Sequence, residues 1–157
     1  MTKTKSVSRK IKIKNKNKTM RYKYKINAPK NEIRSHIVRV FLEMLNNVKL
    51  YHWKTSSYSQ HKATDELYER LNTNIDTFVE ILLGKDETRI KLLKKQVDLL
   101  DTKNTHEFKS RMYEYREFLT EMNTIFDSKK DTDLLSVRDD ILGDINQFLY
   151  LLTFNKA

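Results

Sequence analysis

The sequence has no cysteine, one proline and two glycines in 157 residues. Without cysteine, a disulfide framework and a thiolate metal site are both excluded. So few turn-forming residues argue against a β-rich fold, which needs many tight turns. No apolar run reaches the roughly 18 residues of a membrane-spanning helix. No signal-type apolar stretch lies near the start, which points to a cytoplasmic or other internal location. The two glycines, Gly84 and Gly143, lie far apart, so there is no Gly-rich phosphate loop. The zinc motif His-Glu-x-x-His is missing. So are the inward Glu-x-x-His pairs of di-iron bundles, since no glutamate has a histidine three residues later.

What is present is charge, unevenly placed. The chain holds 31 Lys and Arg against 21 Asp and Glu. Residues 1–32 contain 12 of the basic residues and a single acid, Glu32, leaving 19 basic and 20 acidic residues for the rest. Every second residue from Lys10 to Lys18 is lysine, and Tyr22 and Tyr24 stand among Arg21, Lys23 and Lys25. Residues 1–30 therefore read as a basic arm, disordered when alone. Lys10, Lys12, Lys14, Lys16, Lys18, Arg21, Lys23 and Lys25 are its candidates for neutralising DNA phosphates without reading sequence. A solubilising tail or a contact with an acidic protein is the plainer reading of the same charge. A transit peptide fits less well, because the arm favours lysine over arginine and has no apolar helical face.

Beyond Pro29 the apolar residues repeat at helical spacing. A first helix from about Asn31 carries Ile37, Phe41, Met44, Val48 and Tyr51 on one stripe. His52 lies beside that stripe, and the neighbouring Trp53 reads as core. His36, with no carboxylates set around it, reads as a surface or satisfied histidine, and His106 as a surface residue. Thr55–Gln60 is a polar turn, short enough to make the next helix antiparallel. The second helix, about His61 to Leu83, buries Tyr68, Leu71, Ile75, Phe78 and Leu82, with Gly84 as its C-terminal cap. Residues 85–104 are long enough to recross a bundle, and Ile90, Leu92, Leu93, Val97, Leu99 and Leu100 suggest a short helix within them. A third helix from Thr105 shows Phe108, Met112, Tyr115, Leu119, Met122 and Phe126. A fourth, capped by Asp131 or Thr132, shows Leu134, Val137, Ile141, Ile145, Phe148 and Leu152. The expectation is an all-α, ferritin-like four-helix bundle over residues 31–157, with a long crossover between helices 2 and 3.

The second helix carries the chemistry. His61, Asp65, Asp76 and Glu80 fall in one polar wedge beside its apolar stripe. His61 and Asp65 are four apart, as are Asp76 and Glu80, so each pair can point at one ion. The two pairs are separated by about 16 Å of helix, too far for one ion within one chain. Two such helices crossing antiparallel about a two-fold axis would bring the pairs together. A mixed nitrogen and oxygen set suits iron or zinc better than calcium. A solvated polar face is the ordinary explanation for any one of these residues alone.

Taken together, His52-Trp53, His61 with Asp65, and Asp76 with Glu80 eleven residues after Asp65 resemble the ferroxidase segment of the Dps (DNA-protection-during-starvation) mini-ferritins. The nine residues from His52 to His61 make a shorter gap than that family's. The resemblance covers roughly residues 31–155. It implies a ferroxidase in which His52, His61 and Asp65 of one chain and Asp76 and Glu80 of its dimer mate hold iron as a mono- or di-iron site. It implies peroxide or dioxygen as oxidant, iron storage, and a homo-oligomer, a dodecameric cage built from dimers. It further implies non-sequence-specific DNA binding by the lysine-rich arm, and a nucleoid-associated location, or the virion for a virus-encoded protein. The competing expectation is a non-catalytic DNA-condensing or particle-forming protein on the same bundle.

Overall fold

A computed structural model describes residues 22–24 and 27–155. Among these residues the only regular elements are helices: α1 (Lys30–Lys54), α2 (Tyr58–Gly84), α3 (Thr105–Glu121) and α4 (Thr132–Leu151). Short 3-10 turns, Met122–Thr124 and Leu152–Asn155, extend the last two. No helix among the described residues is long and apolar enough to cross a membrane. The expected stripes form the core. Ile37, Phe41, Met44, Val48 and Tyr51 of α1 are buried, as are Leu71, Ile75, Phe78 and Leu82 of α2. Of the stripe residues expected in the core, Tyr68, Phe126 and Val137 are only partly buried against it.

The first turn is shorter than expected. Ser57 accepts a hydrogen bond from the Gln60 amide at 3.4 Å, an N-cap that starts α2 at Tyr58 rather than His61. At the other end of α2, Gly84 is not the left-handed cap. That conformation falls to Glu87 (φ 52°), with the Glu87 amide donating to Gly84 O and the Thr88 amide to Leu83 O. Asp131 occupies the N-cap position of α4 without capping it; its carboxylate instead accepts the Asp127 amide and pairs with Lys85.

The crossover holds no helix. Seventeen residues, 88–104, would reach only about 26 Å as a helix, whereas the 25 residues of α1 extend about 37 Å. An extended strap covers that distance, but its backbone groups then need partners from elsewhere. Helix α1 supplies them from its buried polar residues. Ser35 accepts the Leu93 amide at 2.8 Å, Glu43 the Asp98 amide at 3.4 Å and Asn47 the Leu100 amide at 2.7 Å. Ion pairs of Arg34 with Asp86 and Lys54 with Asp101 fix its two ends. The strap thus runs beside α1 in the same direction and delivers the chain to the start of α3.

The arm boundary lies earlier than residue 30. Tyr22 is buried and bridges α1 and α3. Its hydroxyl donates to Glu43 and accepts from Arg111 at 2.9 Å, and its ring stacks on Tyr115 at 5.3 Å. Arg111 also donates to Glu43 at 2.8 Å, and Tyr115 accepts from Asn47 at 2.6 Å. Burial pushes the Tyr115 hydroxyl up to about 12 and the Tyr22 hydroxyl well above its ordinary value, so both stay neutral. Tyr24 packs on Phe118 with its rings 5.3 Å apart.

Glu43→Ala leaves the Arg111 guanidinium without its counter-charge and is expected to cost about 3–5 kcal/mol in urea unfolding. Pairing Glu43→Leu with Arg111→Met should recover most of that loss. A single-variant loss below about 1 kcal/mol would mean that this network does not hold the bundle together. Glu87→Gly should instead raise stability by about 1 kcal/mol, because glycine adopts the left-handed conformation without the side-chain clash.

Candidate functional site

His52 lies in the last turn of α1 and His61 in the first turn of α2. The three-residue turn between the helices lays the two rings face to face, with centroids 3.8 Å apart and planes 23° from parallel. Their hydrogen bonds are reciprocal. His52 Nδ1 donates to His61 O at 2.9 Å, and His61 Nδ1 donates to His52 O at 3.0 Å. A carbonyl oxygen can only accept, so each Nδ1 carries a hydrogen, and in the neutral form of each ring the lone pair is on Nε2. The short gap between the histidines therefore does not separate them; it locks them together. Thr64 completes the lock, donating to Gln60 O at 2.8 Å with its hydroxyl 3.3 Å from His52 Nδ1.

Asp65 joins the pair one turn later, its Oδ1 3.8 Å from His52 Nε2. The same oxygen is 3.6 Å from Lys49 Nζ, and that ammonium lies over the rings of Tyr68 at 4.8 Å and Trp53 at 6.0 Å. Trp53, expected in the core, is 69% exposed, because two residues beyond the buried Tyr51 it is turned about 200° round the helix, away from the core stripe. Tyr58, across the turn, is 78% exposed.

Asp76 and Glu80 are not brought to this cluster. They stand exposed on α2, with Asp76 eleven residues and about 16 Å of helix beyond Asp65. Among the described residues, no group of three or more His, Asp or Glu side chains is arranged to hold a metal ion. One chain thus presents His52, His61 and Asp65 at one end of α2, and a separate carboxylate pair along the same helix. The donor types suit a borderline divalent cation, but within one chain the set is incomplete.

Sequence reasoning passed over Lys49. Its spacing of three from His52 and four from Trp53 places it on their helix face, which was a usable signal. It also passed over Gln60, a buried hub whose Oε1 accepts from Tyr51 at 2.7 Å and Thr55 at 3.1 Å. His36 is a satisfied histidine. Its Nε2 donates to Tyr22 O at 3.1 Å, Arg39 donates to its Nδ1 at 3.3 Å, and burial lowers its pKa below the usual histidine value. His106 is exposed. Of the arm's candidate phosphate ligands only Lys23 is described, and it is exposed. Lys10, Lys12, Lys14, Lys16, Lys18, Arg21 and Lys25 lie outside the described residues.

The tautomers provide a check that needs no metal. Long-range nitrogen–proton NMR correlation at neutral pH should report Nδ1–H for His52 and His61, and Nε2–H for His36. An Nε2–H form at either member of the stacked pair would contradict the reciprocal lock.

Residues 52–152, well over half of the chain, match the family of unknown function DUF5856, and the chain belongs to that family. No curated protein and no solved structure matches it.

Proposed function

We propose that this member of the DUF5856 family is a ferritin-like protein of the Dps type that takes ferrous iron as substrate at a site shared by two chains. The observation that supports this most is the His52–His61 lock. Two Nδ1 hydrogens tied to backbone carbonyls leave both Nε2 atoms as ready donors to a cation, with Asp65 beside them. The second chain would contribute Asp76 and Glu80. An antiparallel two-fold crossing of α2 would bring them opposite His61 and Asp65, and the exposed Trp53 and Tyr58 are apolar surface available to such a contact. The long return strap and the short-long-short connections agree with ferritin-like topology.

In this reading each residue has a task. The imidazoles bind the divalent ion as neutral ligands. Asp65 supplies charge once an arriving cation displaces Lys49 from it. The partner's Asp76 and Glu80 add carboxylate charge that favours the ferric product. Each ferrous ion loses one electron. One hydrogen peroxide takes two electrons with two protons and leaves as two waters, and dioxygen is the other oxidant of this chemistry. The ferric product collects inside a cage of twelve chains, and the lysine-rich arm holds DNA through its phosphates.

Anaerobic ferrous titration followed by peroxide tests this directly. Saturable binding of about two ions or fewer per shared site should be followed by rapid ferric absorbance. Asp76→Ala and Glu80→Ala should each slow oxidation by at least about tenfold while leaving DNA retardation unchanged. Light scattering should report a mass far above the 18.9 kDa monomer. Absence of saturable binding would sink the ferroxidase reading and leave a DNA-condensing or particle-forming protein on the same bundle. The arm is best tested by lysine-to-glutamine changes between Lys10 and Lys18, since a truncation reaching Tyr22 would remove a core residue.

A further inference from the structure

We infer that the strap, residues 89–97, together with the cleft beside it, forms a second docking surface for the phosphate backbone of duplex DNA, adjoining the root of the N-terminal arm. Taken whole, residues 33–157 are almost balanced in charge, which conceals a local excess. The segment Arg-Ile-Lys-Leu-Leu-Lys-Lys-Gln-Val holds Arg89, Lys91, Lys94 and Lys95 and no acid. All four are exposed. Among the described residues no carboxylate forms an ion pair with any of them, whereas Lys54 pairs with Asp101 and Lys85 with Asp131 and Asp133.

The strap is held in place by α1. Within 89–97 the Leu93 amide is tied to Ser35, and just beyond it Glu43 and Asn47 hold the Asp98 and Leu100 amides, so the four cations ride on an anchored extended chain. Beside it opens a cleft of about 400 Å³ lined by Lys23, Glu32, Ser35, His36, Arg39 and Lys94, among others. Lys23 and Lys94 face Glu32 there, while Arg39 pairs with the buried Glu43 at 3.5 Å and donates to Nδ1 of His36. Lys23 belongs to the arm's root, tied into the bundle by Tyr22 and Tyr24 on either side. Nine further basic residues precede Tyr22 in the sequence, and Lys23 itself lines the cleft with Lys94. Glu87 and Asp98 bound the basic run at its two ends.

The occupant, though not the surface, rests on the reading of the arm as a DNA-binding element, and the experiment separates the two. Full-length protein is titrated against a short random-sequence DNA duplex by fluorescence anisotropy over a range of salt. Lys91→Gln/Lys94→Gln/Lys95→Gln should make the plot of log affinity against log salt shallower by about 2.7, three phosphate contacts at about 0.9 each. The matching triple arginine variant should keep the wild-type slope, which ties the loss to charge rather than to folding of the strap. A glutamine variant that binds with wild-type slope and affinity, while Lys10→Gln/Lys14→Gln/Lys18→Gln weakens binding, overturns the inference and spares the arm. Loss only in the strap variant upholds the surface and removes the arm's role. Wild-type binding by both variants overturns both.

Discussion

The bundle depends on where it places one buried carboxylate. Glu43 lies in the middle of α1 with no exposed surface. A carboxylate taken out of water is costly unless it is paired and its oxygens are hydrogen-bonded. Four segments meet that requirement. Arg111 comes from α3, Tyr22 from the root of the arm and the Asp98 amide from the strap, while Arg39 lies one turn back on α1 at 3.5 Å. No apolar residue at this position would hold three otherwise independent pieces of chain to one point. Glu43 thereby fixes the strap along α1 and draws Tyr22 inside, and these two placements produce the cleft between them.

The C-terminal end of α1 is fastened by neutral groups beside the Lys54–Asp101 ion pair. The Tyr51 hydroxyl donates to Gln60 and lies 2.9 Å from the Thr105 hydroxyl, joining the end of α1 to the starts of α2 and α3. Its ring stacks on Phe108 with centroids 3.9 Å apart. This hub clamps the three-residue turn and holds the histidine rings against each other. The histidine lock and the Tyr51 hub support one another, since His52 follows Tyr51 and His61 follows Gln60. A longer turn would have needed other contacts to impose the same register.

Much of the helical architecture was legible because apolar spacing reports burial directly. Most of each helix's stripe could be written down from sequence, with Tyr68, Phe126 and Val137 only partly buried, and so could the order of short, long and short connections. What escaped depends on contacts between distant residues. Tyr22 lies in a segment whose composition reads as solvated, and only Glu43 and Arg111, far along the chain, make it core. The strap has enough leucine to read as helix, yet the distance to be crossed and the polar residues of α1 decide otherwise. Trp53 reads as core by type and is exposed by position. In the candidate site, the helical repeat placed His61 and Asp65 on a common face, and the turn added His52. Asp76 and Glu80 remain apart from them in a single chain, because helix rise alone sets that distance.

Charge along α1 divides the molecule by distance rather than by domain. From Glu43, where the strap and the arm's root converge, to His52 is nine residues, or about 14 Å of helix, and from His36 in the cleft about 24 Å. Exposed lysines separated from an imidazole cluster by more than a Debye length, about 8–10 Å at physiological salt, are largely screened from it. If the strap takes a polyanion and the histidine pair a cation, as proposed, the two would therefore be nearly independent. Lys49 is the exception, because it lies within the histidine cluster, on Asp65. On the proposed reading one helix would serve two chemistries of opposite sign, with the basic run 89–97 beside its first half and the histidines at its terminal turn.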